Sequence, residues 1–140
     1  MKNFKQLRSY LNKIPYISYG GCGYATLFMY QWLKVYKPKV KVKIVFAYSW
    51  LSDAYETNEA YFKGIHTSIS SCSHAFLQIE NKYVDCKGVV DISHYAKYHC
   101  IEDPKFVLKA LKNKNVWNCT FDREWVPKME TAIGIKLTDL

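Results

Sequence analysis

Several features that mark other protein classes are missing from this chain. No apolar run approaches the roughly 20 residues needed to cross a bilayer. The opening stretch, Met1 to Leu11, is polar and amphipathic and lacks the apolar centre of a secretory signal. These two absences predict a cytoplasmic protein without a membrane span. No Cys-x-x-Cys pair occurs, and the cysteines number five: Cys22, Cys72, Cys86, Cys100 and Cys119. An odd count with no secretory signal predicts reduced thiols in place of a disulfide framework. Internal repeats, low-complexity blocks and Pro- or Gly-rich linkers are also missing, so the 140 residues read as one domain spanning 1–140. A chain of that length buries a core without metals or disulfides.

Acidic residues are scarce, 12 against 20 lysines and arginines, for a formal charge of +8. That balance favours acidic partners. The densest basic run, Lys34, Lys37, Lys39, Lys41 and Lys43, falls between an expected helix and an expected strand and reads as a solvated connection. No nucleic-acid motif accompanies it, so nucleic acid is not the expected partner. What the chain has in quantity is aromatic: 12 tyrosines lift the aromatic share to 16% within a hydrophobic fraction of 49%. This composition suits a globular fold in which some tyrosines line a groove or stay half exposed.

Periodicity gives an α+β order. Phe4, Leu7 and Leu11 make one helical stripe in Asn3 to Asn12. The strongest helix runs from Cys22 to Lys37, with Ala25, Met29, Trp32 and Tyr36 expected inward beside Cys22 and Pro38 as its stop. Val40 to Tyr48 reads as a strand. Asp53 to Lys63 fits a short helix, and His66 to Ser73 a Ser-rich loop or edge strand. His74 to Ile79 and Tyr83 to Cys86 read as a hairpin about Glu80-Asn81-Lys82. Pro104 to Lys112 and Asp122 to Ile133 are read as helices, the latter weakened by Pro127.

The chemistry concentrates at three junctions. Cys22 follows Gly20-Gly21 and opens the long helix, where free N–H groups and the helix dipole favour a thiolate. Gly21 and Gly23 let a substrate backbone approach, and the Cys22 and Gly23 amides are aimed to serve an oxyanion. His74 opens an apolar strand, and an imidazole is the usual base for a thiol nucleophile. Asp85 interrupts a strand-like run, which asks for a reason: either it orients His74 or it forms the turn before Gly88. The hairpin register decides. With Glu80-Asn81 central, Asp85 faces Phe76 and lies diagonal to His74 at roughly 7–8 Å between backbones. With Asn81-Lys82 central the gap widens, and an odd-length loop puts the two on opposite faces.

Gly-Gly-Cys-Gly-Tyr-Ala opening a helix, then Ser-His-Ala-Phe-Leu-Gln-Ile, then Lys-Tyr-Val-Asp-Cys-Lys-Gly, resembles the papain-like superfamily, which includes transglutaminase-like proteins and short phage- or plasmid-encoded members. The resemblance spans Tyr19 to Gly88. It implies a papain-like α+β fold with N-terminal helices and a central Cys-bearing helix packed on a small antiparallel sheet. It also implies a cysteine hydrolase (peptidase, amidase or isopeptidase) acting on a peptide or protein through an acyl-thioester. Cys22 is then the nucleophile, His74 the general base and acid, and Asp85 the orienting residue, with Tyr19, Gly21, Gly23 and Ser73 around the oxyanion and substrate, and no metal or cofactor. The chain departs from the pattern in two respects: no Gln stands in Tyr16 to Gly21 to complete an oxyanion hole, and Tyr24 replaces the Trp that often follows the nucleophile. The same triad also serves an acyltransferase, and an inactive scaffold serves a binding protein. A zinc site is the chemical alternative, drawing on Cys72, His74, Cys86 and Cys100 or on His94 and His99. The Lys-, Asn- and Tyr-rich composition suggests a phage source, acting in the host cytoplasm.

Overall fold

A computed structural model describes residues 3–17, 21–49, 73–101, 105 and 122–137. Over these residues the chain is an α+β fold. Three helices, α1 (Phe4–Asn12), α2 (Cys22–Tyr36) and α3 (Trp125–Ile133), accompany an antiparallel sheet of β1 (Val42–Tyr48), β2 (His74–Ile79), β3 (Lys82–Val84) and β4 (Lys97–Ile101). The strand order is β3-β2-β1-β4.

Local chemistry sets the helix ends. The Asn3 side chain caps α1 by accepting the Gln6 N–H at 2.8 Å. Pro127 is the third residue of α3 and falls in the first turn, where a missing N–H breaks no helical bond. The Asp122 to Ile133 expectation therefore survives its proline with a start moved to Trp125. Helix α2 is buried from Cys22 to Leu33 on every side. A helix apolar all round needs cover all round. The sheet supplies one side through Ile44, Phe46, Ala75 and Leu77, while α1 and α3 supply the other through Leu7, Leu11, Trp125 and Met129. The inward stripe expected from Cys22 to Tyr36 ends early, because Tyr36 lies past this cover and is exposed.

Strand β1 is central and buried on both faces. Val42, Ile44 and Phe46 face α2 as the alternation requires, but Val45 and Ala47 are also fully buried. They pack with Phe76 beneath Tyr83, Val90, Ile92 and Tyr95. The pairing Ile79↔Lys82, Gln78↔Tyr83 and Leu77↔Val84 leaves Glu80-Asn81 as the turn, and Glu80 takes the positive φ of 51° that such a tight turn demands. Lys34, Lys37, Lys39 and Lys41 are exposed on the α2–β1 connection. The helices read in Asp53 to Lys63 and Pro104 to Lys112, and the stretch His66 to Cys72, fall outside the described residues, apart from Lys105.

Candidate active site

The hairpin register fixes two of the three candidate residues. Extending it by one position sets Asp85 opposite Phe76 and diagonal to His74. The side chains close the diagonal: His74 Nε2 lies 3.0 Å from Asp85 Oδ2. Asp85 turns out to serve both roles considered for it. Its Oδ1 accepts the N–H groups of Lys87 at 2.8 Å and Gly88 at 3.0 Å, while its own N–H donates to Gly88 O at 2.9 Å. The carboxylate thus closes the turn 85–88 with one oxygen and holds the imidazole with the other. Gly88 has φ 153°, a conformation that disfavours side chains, so glycine is needed there. From across the molecule, Arg8 Nε on α1 donates to Asp85 O at 3.0 Å and pins the backbone of the turn.

Cys22 comes from the other layer. It is the first residue of α2, follows the N-cap Gly21 and is 8% exposed. A Cβ on Gly21 would come within 2.5 Å of Ile17 O and 3.2 Å of Trp125 Cδ2, so only glycine lets the chain enter the helix here. The Thr26 hydroxyl lies 2.8 Å from Cys22 O and 3.0 Å from Ala75 O and shares its proton between them. It therefore ties the start of α2 to the strand residue next to His74. Cys22, His74, Asp85 and Cys86 line one small cavity of about 10 Å³, floored by Met29. That volume sits at the threshold for a single water.

The electrostatics follow from this packing. Burial disfavours a charged His74, but its hydrogen bond to Asp85, then the nearby Cys22 sulfur and the Asp85 charge, raise its pKa to about 9. Burial would raise Asp85, but the His74 bond and the Gly88 and Lys87 N–H groups hold its carboxyl below the usual range. At neutral pH His74 is an imidazolium, so Nε2–H donates to Asp85 and Nδ1 is the nitrogen left for the sulfur. Cys86 differs: burial, then the Asp85 and Cys22 charges, push its thiol up to about 11 and keep it protonated.

The other expected site residues divide. Gly21 and Gly23 are buried at the start of α2. The Ser73 hydroxyl accepts the Ser49 N–H at 3.0 Å, so it secures the end of β1. Tyr19 lies outside the described residues. Of the zinc alternatives, Cys72 also lies outside them, Cys100 Sγ bonds Gln78 Oε1 at 3.3 Å, and among the described residues no group of three or more ligating side chains gathers for a metal. Cys22, Cys86 and Cys100 are free thiols. Among the described residues no helix is long and apolar enough to cross a membrane.

One neighbour of the site went unread in the sequence. The Tyr95 ring stacks on His74 with centroids 6.2 Å apart and planes 20° apart, and it also meets Phe76 at 5.9 Å. It covers the imidazole face and limits its rotation. Among so many tyrosines no local signal singles Tyr95 out. Comparison of the chain with protein-family models, curated proteins and solved structures finds no match.

Proposed function

We propose that this chain is a papain-like cysteine hydrolase acting on peptide or amide bonds. The observation that carries the reading is one small cavity lined by Cys22 at a helix start, the His74 imidazole and the Asp85 carboxylate, the last two 3.0 Å apart. A nucleophile, a proton carrier and an orienting group gathered at one site are what acyl transfer to sulfur requires.

In this mechanism His74 takes the Cys22 thiol proton. The sulfur attacks the carbonyl carbon, and His74 gives its proton to the leaving amine as the C–N bond breaks. Neutral His74 then takes a proton from water, which attacks the acyl-thioester and releases the acid and the thiolate. An amine in place of water completes a transfer reaction from the same intermediate. Asp85 keeps Nε2 occupied throughout, so proton traffic is confined to Nδ1. The Cys22 and Gly23 amides at the start of α2 would serve the oxyanion. The free thiols of Cys22, Cys86 and Cys100, among the described residues, suit a reducing compartment such as the cytoplasm.

Mass spectrometry after exposure to an acyl-trapping electrophile near neutral pH tests the reading. Cys22 is expected to react well ahead of the other cysteines, and the fast adduct is expected to vanish in Cys22→Ala and slow in His74→Ala. A fast adduct that persists in Cys22→Ala sinks the assignment.

A further inference from the structure

Among the described residues, the cavity beside the thiol is about 10 Å³, too small for a substrate side chain. A groove of about 610 Å³ opens between the C-terminal end of α1 and α3. Its volume falls in the roughly 300–1,000 Å³ span of ligand sites. Ile14, Pro15 and Ala132 give it apolar walls, and Lys13 and Lys128 are the charged groups among its described lining residues, which include no carboxylate. Both ammonium groups lie over aromatic rings, Lys13 at 5.7 Å from the Tyr10 centroid and Lys128 at 4.7 Å from that of Trp125. The Trp125 indole, which lies outside the groove lining, packs on Gly21, the residue before Cys22.

We infer that this groove receives an acidic segment of polypeptide bearing an apolar side chain, which would be the substrate's recognition segment. The inference rests on the hydrolase reading for the word substrate, but the surface is defined by its own chemistry. Apolar walls take a buried side chain, and the two cations beside them complement flanking carboxylates. A nucleic acid asks for a longer basic track. The densest basic run, Lys34 to Lys43, lies at the opposite end of α2 and does not enter the groove.

The test uses the full chain carrying Cys22→Ala, so binding is read without turnover. The probe is a fluorescent glutamate-rich peptide with a single leucine, followed by anisotropy. Saturable binding is expected. It should weaken about tenfold in Lys13→Glu/Lys128→Glu, since two exposed ion pairs turn to repulsion. It should be lost in Thr131→Trp, which fills the groove. All three substituted side chains are exposed, so the variants should fold. A lysine-rich counterpart and an oligothymidylate should not compete. No saturable binding, unchanged affinity in the double variant, or equal competition by the oligonucleotide overturns the proposal. Peptide binding without fast Cys22 labelling sinks the nucleophile reading alone. Fast labelling without peptide binding sinks the groove alone.

Discussion

The two faces of the sheet are built on different chemistry. Towards α2 the strands present Ile44, Phe46, Ala75 and Leu77, which are fully buried among other apolar side chains. On the reverse face Val45, Ala47 and Phe76 lie beneath a layer of tyrosines that touch one another. Tyr83 meets Phe76 edge-on at 6.1 Å and Tyr98 at 5.8 Å, although Tyr83 and Tyr98 sit on the two outer strands. The first face is closed and dry. The second is amphipathic, with hydroxyls at its surface and Tyr98 39% exposed. By strand alternation His74 and Asp85 belong to the second face, while Cys22 belongs to a helix packed on the first. His74, with a partly exposed side chain, lines one small cavity with the Cys22 thiol held in the core helix. The comparison teaches that neither face alone makes the site: one fixes the sulfur, and the other supplies a carboxylate and imidazole that water can reach.

This contrast can be broken at several points. His74→Ala removes the bridge between faces. The rate of Cys22 modification should fall by about 10²-fold or more, the usual contribution of a positioned acid–base group. A time course of labelling measures it, and an unchanged rate would mean that the two layers do not communicate. Next, Phe46→Ala on the closed face should cost about 3–5 kcal/mol by leaving a cavity in a packed core. Tyr98→Phe on the open face should cost about 1 kcal/mol or less, since it removes one exposed hydroxyl contact. Urea unfolding of both variants gives the two values, and equal values would abolish the distinction between faces.

A pH series sharpens the comparison further. The His74 pKa is raised to about 9, so its bond to Asp85 stabilises the fold fully below about 6.5 and is lost as pH rises through about 9. The Asp85 pKa is lowered, so its share is present above about 4 and is lost as pH falls through the lowered value. Asp85→Asn keeps a carbonyl oxygen for the Lys87 and Gly88 amides but removes the charge. Its melting temperature should fall furthest below wild type between about pH 4 and 6.5 and converge with it above about pH 9. A gap that does not change with pH would show that the pair contributes only through the turn.

Helices α1 and α2, strand β1 and the hairpin were legible because each carries a period that composition does not mask. The register was narrowed to stated alternatives, and Glu80-Asn81 prevails. Glu80 is anchored on Lys41, donating its N–H to Lys41 O at 2.9 Å while its carboxylate accepts the Lys41 N–H at 3.2 Å. That anchor joins residues 39 positions apart, which a local reading does not capture. Strand β4 went unread because Lys97-Tyr98-His99-Cys100-Ile101 has no apolar alternation. It is a strand because β1 offers it an edge, with Ile101 paired to Ile44 and Tyr98 to Ala47. Burial of Val45 and Ala47 was hidden for the same reason, since it depends on tyrosines far along the chain. At the site, Cys22, His74 and Asp85 were visible as residue types at junctions. Tyr95 was not, because its stacking on His74 follows from the turn 91–94 that brings it back, where Asp91 accepts the Ser93 N–H at 3.0 Å.

The Arg8 bond to the Asp85 carbonyl spans 77 residues. Loop closure makes contacts of such separation late to form. The turn that aims the carboxylate at His74 therefore gains its last anchor when α1 docks, after the hairpin can already exist by itself. A chain emerging from the ribosome presents its first helix early but has nothing to clamp until Asp85 has been made. The bond between Asp85 and His74 is then set in its final geometry only in the finished molecule.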